Sequence, residues 1–119
     1  MTNNIIFVFG SNLSGRHGKG AALHARNHYG AEYGIGEGRT GDSYALPTKD
    51  EKLASLPFLE VVDNIDTFFM YALENPELTF KFTPVGTGLA GQNKEELIEI
   101  LKSVHIPDNV LLTGSWFNE

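Results

Sequence analysis

The stretch Ile5-Ile6-Phe7-Val8-Phe9-Gly10-Ser11-Asn12-Leu13-Ser14-Gly15-Arg16-His17-Gly18-Lys19-Gly20 decides how the chain folds. Five consecutive apolar, β-branched or aromatic residues from Ile5 to Phe9 read as a central strand buried on both faces and ending at Gly10. The glycine-rich run after it is too irregular for a helix or a strand. Ala21 to Tyr29 then suits a helix closing at Gly30. The unit is strand, glycine loop, helix.

The pattern repeats outward from there. Gly30 to Asp42 carries five glycines and reads as an ordered surface loop or a short hairpin. Ser43 to Leu46 is a short strand stopped by Pro47. Leu56 to Leu73 places Phe58, Val61, Val62, Ile65, Phe68, Phe69 and Ala72 at three- and four-residue spacings, with Ser55 as N-cap and Asn75-Pro76 as the stop. Leu78 to Thr83 alternates as a strand with one wet face or at a sheet edge. It runs into a second glycine loop, Gly86-Thr87-Gly88-Leu89-Ala90-Gly91. Asn93 with Glu96 opens a helix that turns Leu97, Ile98, Leu101 and Val104 inward, and Asn109 to Thr113 is a last strand. This alternation predicts one three-layer α/β/α domain over residues 1–119, its sheet mainly parallel or mixed and helices on both faces.

Composition narrows the function. The chain has 119 residues, of which 41% are hydrophobic, enough for a single modest core. It has no cysteine, which excludes disulfides, thiolate metal sites and cysteine nucleophiles and points to the cytoplasm. Met1 to Asn4 does not begin a charged and then apolar leader, and no apolar run approaches the roughly 20 residues that span a bilayer, so no membrane partner is expected. The net charge of −6 argues against general nucleic-acid binding. Residues 1–49 nevertheless hold five Lys/Arg against three Asp/Glu, so the first glycine loop lies in the basic half.

Ligands of such sheets sit beyond the carboxyl ends of the strands. Three unusual segments follow strands here: residues 10–20, 47–50 and 86–91. Glycine lets backbone N–H groups approach an anion, and a helix N-terminus behind them adds partial positive charge, so a phosphate or diphosphate is the natural guest. The first loop lacks P-loop spacing. The second has the bare Gly-x-Gly-x-x-Gly pattern, but no acidic residue on a following strand to catch a ribose. His24 and His28 lie four apart on one helix, yet without a third ligand at helical spacing a zinc site is rejected, and no cofactor is called for. Trp116 and Phe117 read as packing residues rather than a base-stacking pair.

Phe9-Gly10-Ser11-Asn12 followed by Gly15 and Gly18-Lys19-Gly20-Ala21-Ala22-Leu23 resembles the strand-end asparagine and glycine-rich loop of the macrodomain superfamily. Tyr44-Ala45-Leu46-Pro47-Thr48-Lys49-Asp50 is similar to a strand end of macrodomains that remove ADP-ribose. Gly86 to Gly91 is similar to the family's second diphosphate loop. The resemblance runs from Ile5 to about Leu112. It implies a nucleotide diphosphate of the ADP-ribose type, or an ADP-ribosylated substrate, as the partner. The Gly10-Ser11 strand end, Gly18, Lys19 and Gly20 would line the diphosphate on one side, and Gly86, Thr87, Gly88, Leu89, Ala90 and Gly91 on the other. Asn12 would lie near the distal ribose, and Lys49 would be the catalytic amine that attacks or polarises the anomeric carbon. Ala90 stands where one lysine-using branch has an aspartate. That motivates a second reading, binding without hydrolysis. A third reading is an interaction domain in which the acidic half contacts a partner and the glycine loops are only turns.

Overall fold

The computed structural model describes residues 4–83 and 93–113. In chain order they form β1 (Ile5–Asn12), α1 (Gly20–His28), β2 (Gly38–Thr40), β3 (Ser43–Lys49), α2 (Phe58–Glu74), β4 (Thr79–Phe82), α3 (Lys94–Ser103) and β5 (Val110–Leu112). The strands make one mixed sheet in the order β2-β3-β1-β4-β5. β1 pairs in parallel with β3 and β4, β5 pairs in parallel with β4, and β2 alone is antiparallel, folded back on β3 as a hairpin.

Several boundaries differ from the sequence expectation, each for a local reason. β1 does not end at Gly10 but continues through Ser11 and Asn12, because β3 offers pairing partners that far. Pro47 does not stop β3, which runs on to Lys49. β2 pairs only as far as Ala45, so Pro47 stands where one flank of the strand has no ladder to break. α2 starts at Phe58 behind Pro57, not at Leu56, and Ser55 does not cap it; Ser55 instead bridges Lys49. Pro57 suits a helix start because its φ is already near the helical value. β4 is an interior strand rather than an edge, and its alternation arises because Phe80 and Phe82 are buried while Thr79 and Lys81 are half-buried. Asn93 caps α3 as expected, its side chain accepting the Glu96 N–H at 3.1 Å. Val104 follows the last helical residue and is exposed, not part of the inner face.

The core divides by strand parity, as the two-residue period of a strand requires. Ile6 and Val8 of β1 join Leu46, Phe80 and Phe82 in packing against Val61, Ile65 and Phe68 of α2 and Leu97 and Leu101 of α3. Phe9 of β1 packs instead with Ala45 of β3 and with Ala22 and Ala25 of α1. The alanines allow α1 to lie close to the strands. Tyr44 is buried in the larger cluster, and burial, aided by the charge of Glu37 and by Tyr71, pushes its phenol up to about 12. Tyr44 therefore keeps its proton at neutral pH.

One side chain ties the far end of α2 to the sheet. The Asn109 amide donates to the carbonyls of Ala72, Asn75 and Leu78 at 2.9, 3.1 and 3.0 Å, a second donor for the Ala72 and Asn75 carbonyls, which already accept the Asn75 and Leu78 N–H groups. Asn109→Ala removes all three of these bonds and is expected to lower stability by about 2 kcal/mol, read as a lower urea midpoint with an unchanged slope. A loss within ~0.5 kcal/mol would show that water replaces the amide there.

Candidate functional site

The topology singles out one place on the sheet. β1 and β4 are parallel neighbours, but the chain leaves β1 through α1 toward β3 on one side and leaves β4 through α3 toward β5 on the other. Adjacent parallel strands whose exits diverge open a crevice at their carboxyl ends, where ligands of open α/β sheets bind. The exit of β3 lies at the same end, because β1 and β3 are also parallel.

Residues predicted for the site meet at this end. Asn12 and Lys49 are register partners across β1 and β3, and the Leu13 N–H continues the pairing by donating to the Lys49 carbonyl at 3.0 Å. Lys49 is half-buried. Asp50, next to it, does not orient the lysine. Its carboxylate accepts the backbone N–H groups of Lys52 and Ala54 at 2.8 and 3.0 Å and so closes the turn after β3, in which Leu53 takes a positive φ of 67°. Gly10 and Ser11 lie within β1, and the Ser11 hydroxyl donates to the Gly36 carbonyl.

Asn12 is tied to its own loop. Its side chain is buried and turned into its own loop: the amide donates to the Arg16 carbonyl at 2.9 Å, and the carbonyl oxygen accepts the Arg16 N–H at 2.9 Å and the Ser14 hydroxyl at 2.7 Å. Such a side-chain-to-backbone network substitutes for regular structure and shapes residues 13–16.

The glycines separate into two kinds. A Cβ on Gly36 would stand 2.2 Å from the Asn12 carbonyl oxygen, and one on Gly15, whose φ is +73°, would stand 2.2 Å from the Gly34 backbone. These two permit segments 12–16 and 34–36 to touch backbone to backbone. Gly18 and Gly20, by contrast, have no atom within 4 Å of an added Cβ. Both line the approach to α1, whose N-cap residue Lys19 is exposed and provides no side-chain hydrogen bond and whose first turn carries no acid. Among the described residues, neither an N-cap side chain nor a first-turn acid serves the amides at the start of α1, the arrangement that receives anions.

Hydroxyls that the sequence reading did not single out stitch the strand ends together. Thr48 donates to the Ser11 carbonyl at 3.2 Å, and Thr83, at the exit of β4, donates to the Val8 carbonyl at 3.0 Å. Their sequence signal is only a hydroxyl residue closing a strand. Gly86, Thr87, Gly88, Leu89, Ala90 and Gly91 lie outside the described residues, as do Trp116 and Phe117. Among the described residues no group of three His, Cys, Asp or Glu is placed to hold a metal ion, and no helix is long and apolar enough to cross a membrane.

His17 is the residue whose placement the sequence least foretold. Its ring is fully buried, meets Phe9 at 5.4 Å and Tyr33 at 6.1 Å, and has no hydrogen-bond partner on either nitrogen. Burial holds its pKa below the ordinary 6.5; the Ile35 backbone pulls the other way without reaching hydrogen-bond geometry, and the Arg26 charge adds to the depression.

An open hollow of about 580 Å³ lies elsewhere, lined by Phe58, Asn93, Glu95, Glu96, Glu99 and Lys102 among others. None of the predicted site residues lines it, and Glu95, Glu96 and Glu99 make its lining acidic. Comparison of the chain with protein-family models, curated proteins and solved structures found no match.

Proposed function

We propose that this protein is a three-layer α/β/α domain of macrodomain type that captures ADP-ribose or a related NAD-derived nucleotide diphosphate in the crevice at the carboxyl ends of β1 and β4. The observation that carries the reading is the coincidence of that crevice with an uncapped helix N-terminus reached through Gly18 and Gly20, whose Cα faces are open. Support for the layering comes from the division of the core, with α1 packed on one cluster and α2 and α3 on the other. Backbone amides bind the diphosphate without a charged side chain, which suits a chain of net charge −6.

A second reading, hydrolysis, is favoured by the pairing of Lys49 with Asn12 at the mouth of the crevice. In this reading water replaces the group bonded to the anomeric carbon of the distal ribose. Lys49 contacts that carbon's substituents, and ADP-ribose and the protonated leaving group are released. Asn12 then acts as a positioning residue through the loop that it shapes.

Calorimetric titration with ADP-ribose tests the capture reading, and the expected result is saturable one-to-one binding. The same titration with Lys49→Ala, together with turnover of an ADP-ribosylated substrate, separates the two readings. Hydrolysis predicts that turnover falls at least ~100-fold while binding persists. Binding without turnover in the wild type selects capture alone. The absence of binding or of any thermal shift with ADP-ribose and NAD would instead favour the interaction-domain reading.

A further inference from the structure

Among the described residues, the side-chain nitrogens buried without a hydrogen-bond partner all belong to His17. A neutral imidazole has one donor and one acceptor, and leaving both unpaired in a dry site destabilises the closed arrangement. The ring is nonetheless inserted between elements. Phe9 of β1 lies nearly perpendicular to it at 89°, and Tyr33 meets it at 72° from the segment between α1 and β2. The Arg26 guanidinium of α1 sits 5.4 Å from the Tyr33 ring centroid. His17 therefore joins the first glycine loop to β1 and to the 30–37 segment, one residue before Gly18.

We propose that His17 is a pH-operated latch on the ligand loop: the neutral ring, inserted between Phe9 and Tyr33, holds residues 13–19 in place, and protonation expels it and releases the loop. The inference rests on the capture reading only for its consequence, loss of the Gly18 and Gly20 amides from the anion position. The latch itself depends on packing alone.

The groups facing the ring favour expulsion. Arg26 from α1 carries a positive charge that opposes an imidazolium, and Phe9 and Tyr33 meet the ring with aromatic groups and no carboxylate. On the ring's own segment Arg16 and Lys19 are exposed cations. On the 30–37 segment Glu32 and Glu37 are exposed acids, and the Ile35 backbone opposes the depression at the ring itself. The sign follows by linkage: with the closed-state pKa below 6.5, the released state takes up the proton more readily. The latch is fully closed above 6.5, and its hold weakens progressively as pH falls below that value.

The test is an NMR titration of the full chain from about pH 7.5 to about pH 5, run beside calorimetry with ADP-ribose, whose disubstituted diphosphate keeps its charge over that range. The expected result is a His17 ring that protonates below the ordinary 6.5, with the amide signals of residues 13–20 changing in the same step. ADP-ribose affinity should fall roughly tenfold as the competent fraction drops to about a tenth. In His17→Phe, which keeps an aromatic ring and cannot titrate, both changes should vanish, while His24→Gln should retain them. If His17→Phe does not fold, the wild-type ring and amide titrations decide alone. An ordinary His17 titration, loop amides indifferent to it, or unchanged pH dependence in folded His17→Phe would overturn the latch. Loop release at low pH with no ADP-ribose binding at any pH would leave the latch standing and remove the capture reading.

Discussion

Phe68→Ala is expected to cost about 4 kcal/mol and to lower the melting temperature by roughly 15 °C, a larger loss than that of Gly36→Ala or Asn109→Ala. Phe68 is fully buried on the inner face of α2. Its ring lies 5.0 Å from Tyr44, 5.6 Å from Phe69, 5.3 Å from Phe80 and 5.2 Å from Phe82, so it joins α2 to β3 and β4 at once. Truncation removes its transfer energy and leaves a hole that four aromatic neighbours, already locked by each other, cannot easily fill. Leu73→Ala on the exposed face of the same helix should change stability by less than ~0.5 kcal/mol. Equal losses in the two variants, measured by urea unfolding, would mean that the aromatic cluster relaxes freely.

Gly36→Ala is the second, with an expected cost of about 3 kcal/mol, and it reaches the site. The added methyl would meet the Asn12 carbonyl at 2.2 Å, and backbone on both sides leaves no flexible group to move. Segment 34–36 must withdraw, breaking the bond from the Ser11 hydroxyl to the Gly36 carbonyl, and with it the contact of Gly15 with Gly34. ADP-ribose binding should weaken in parallel with the loss of stability. Gly18→Ala should leave stability within ~0.5 kcal/mol, because its methyl enters open space, and should weaken binding alone. A Gly18 variant that unfolds while the Gly36 variant folds normally would reverse the assignment of structural and ligand-facing glycines.

These comparisons also show how far local pattern reaches. The helical stripe from Val61 to Ala72, the apolar run from Ile6 to Phe9 and the Asn93 cap were legible because each depends on residues a few positions apart, and periodicity reports burial directly. The end of β3 was not, because whether Pro47 breaks a strand depends on how far β2 extends beside it. His17 was read as a loop residue because nothing adjacent to it in sequence announces that Phe9 and Tyr33 close around it.

For the candidate site the division is similar. By itself the sequence determined that glycine-rich segments follow strands, that Asn12 and Lys49 lie just past two strand candidates, and that the basic share of the charge lies in the first half. Only the tertiary structure decided that these two residues are register partners, that Asn12 spends its hydrogen bonds on its own loop, and that Gly15 and Gly36 serve packing while Gly18 and Gly20 face open space. The physical reason is range. Strand and helix signals are encoded within a few residues, whereas the use of a glycine is fixed by whichever backbone arrives beside it, Gly34 for Gly15 and Asn12 for Gly36.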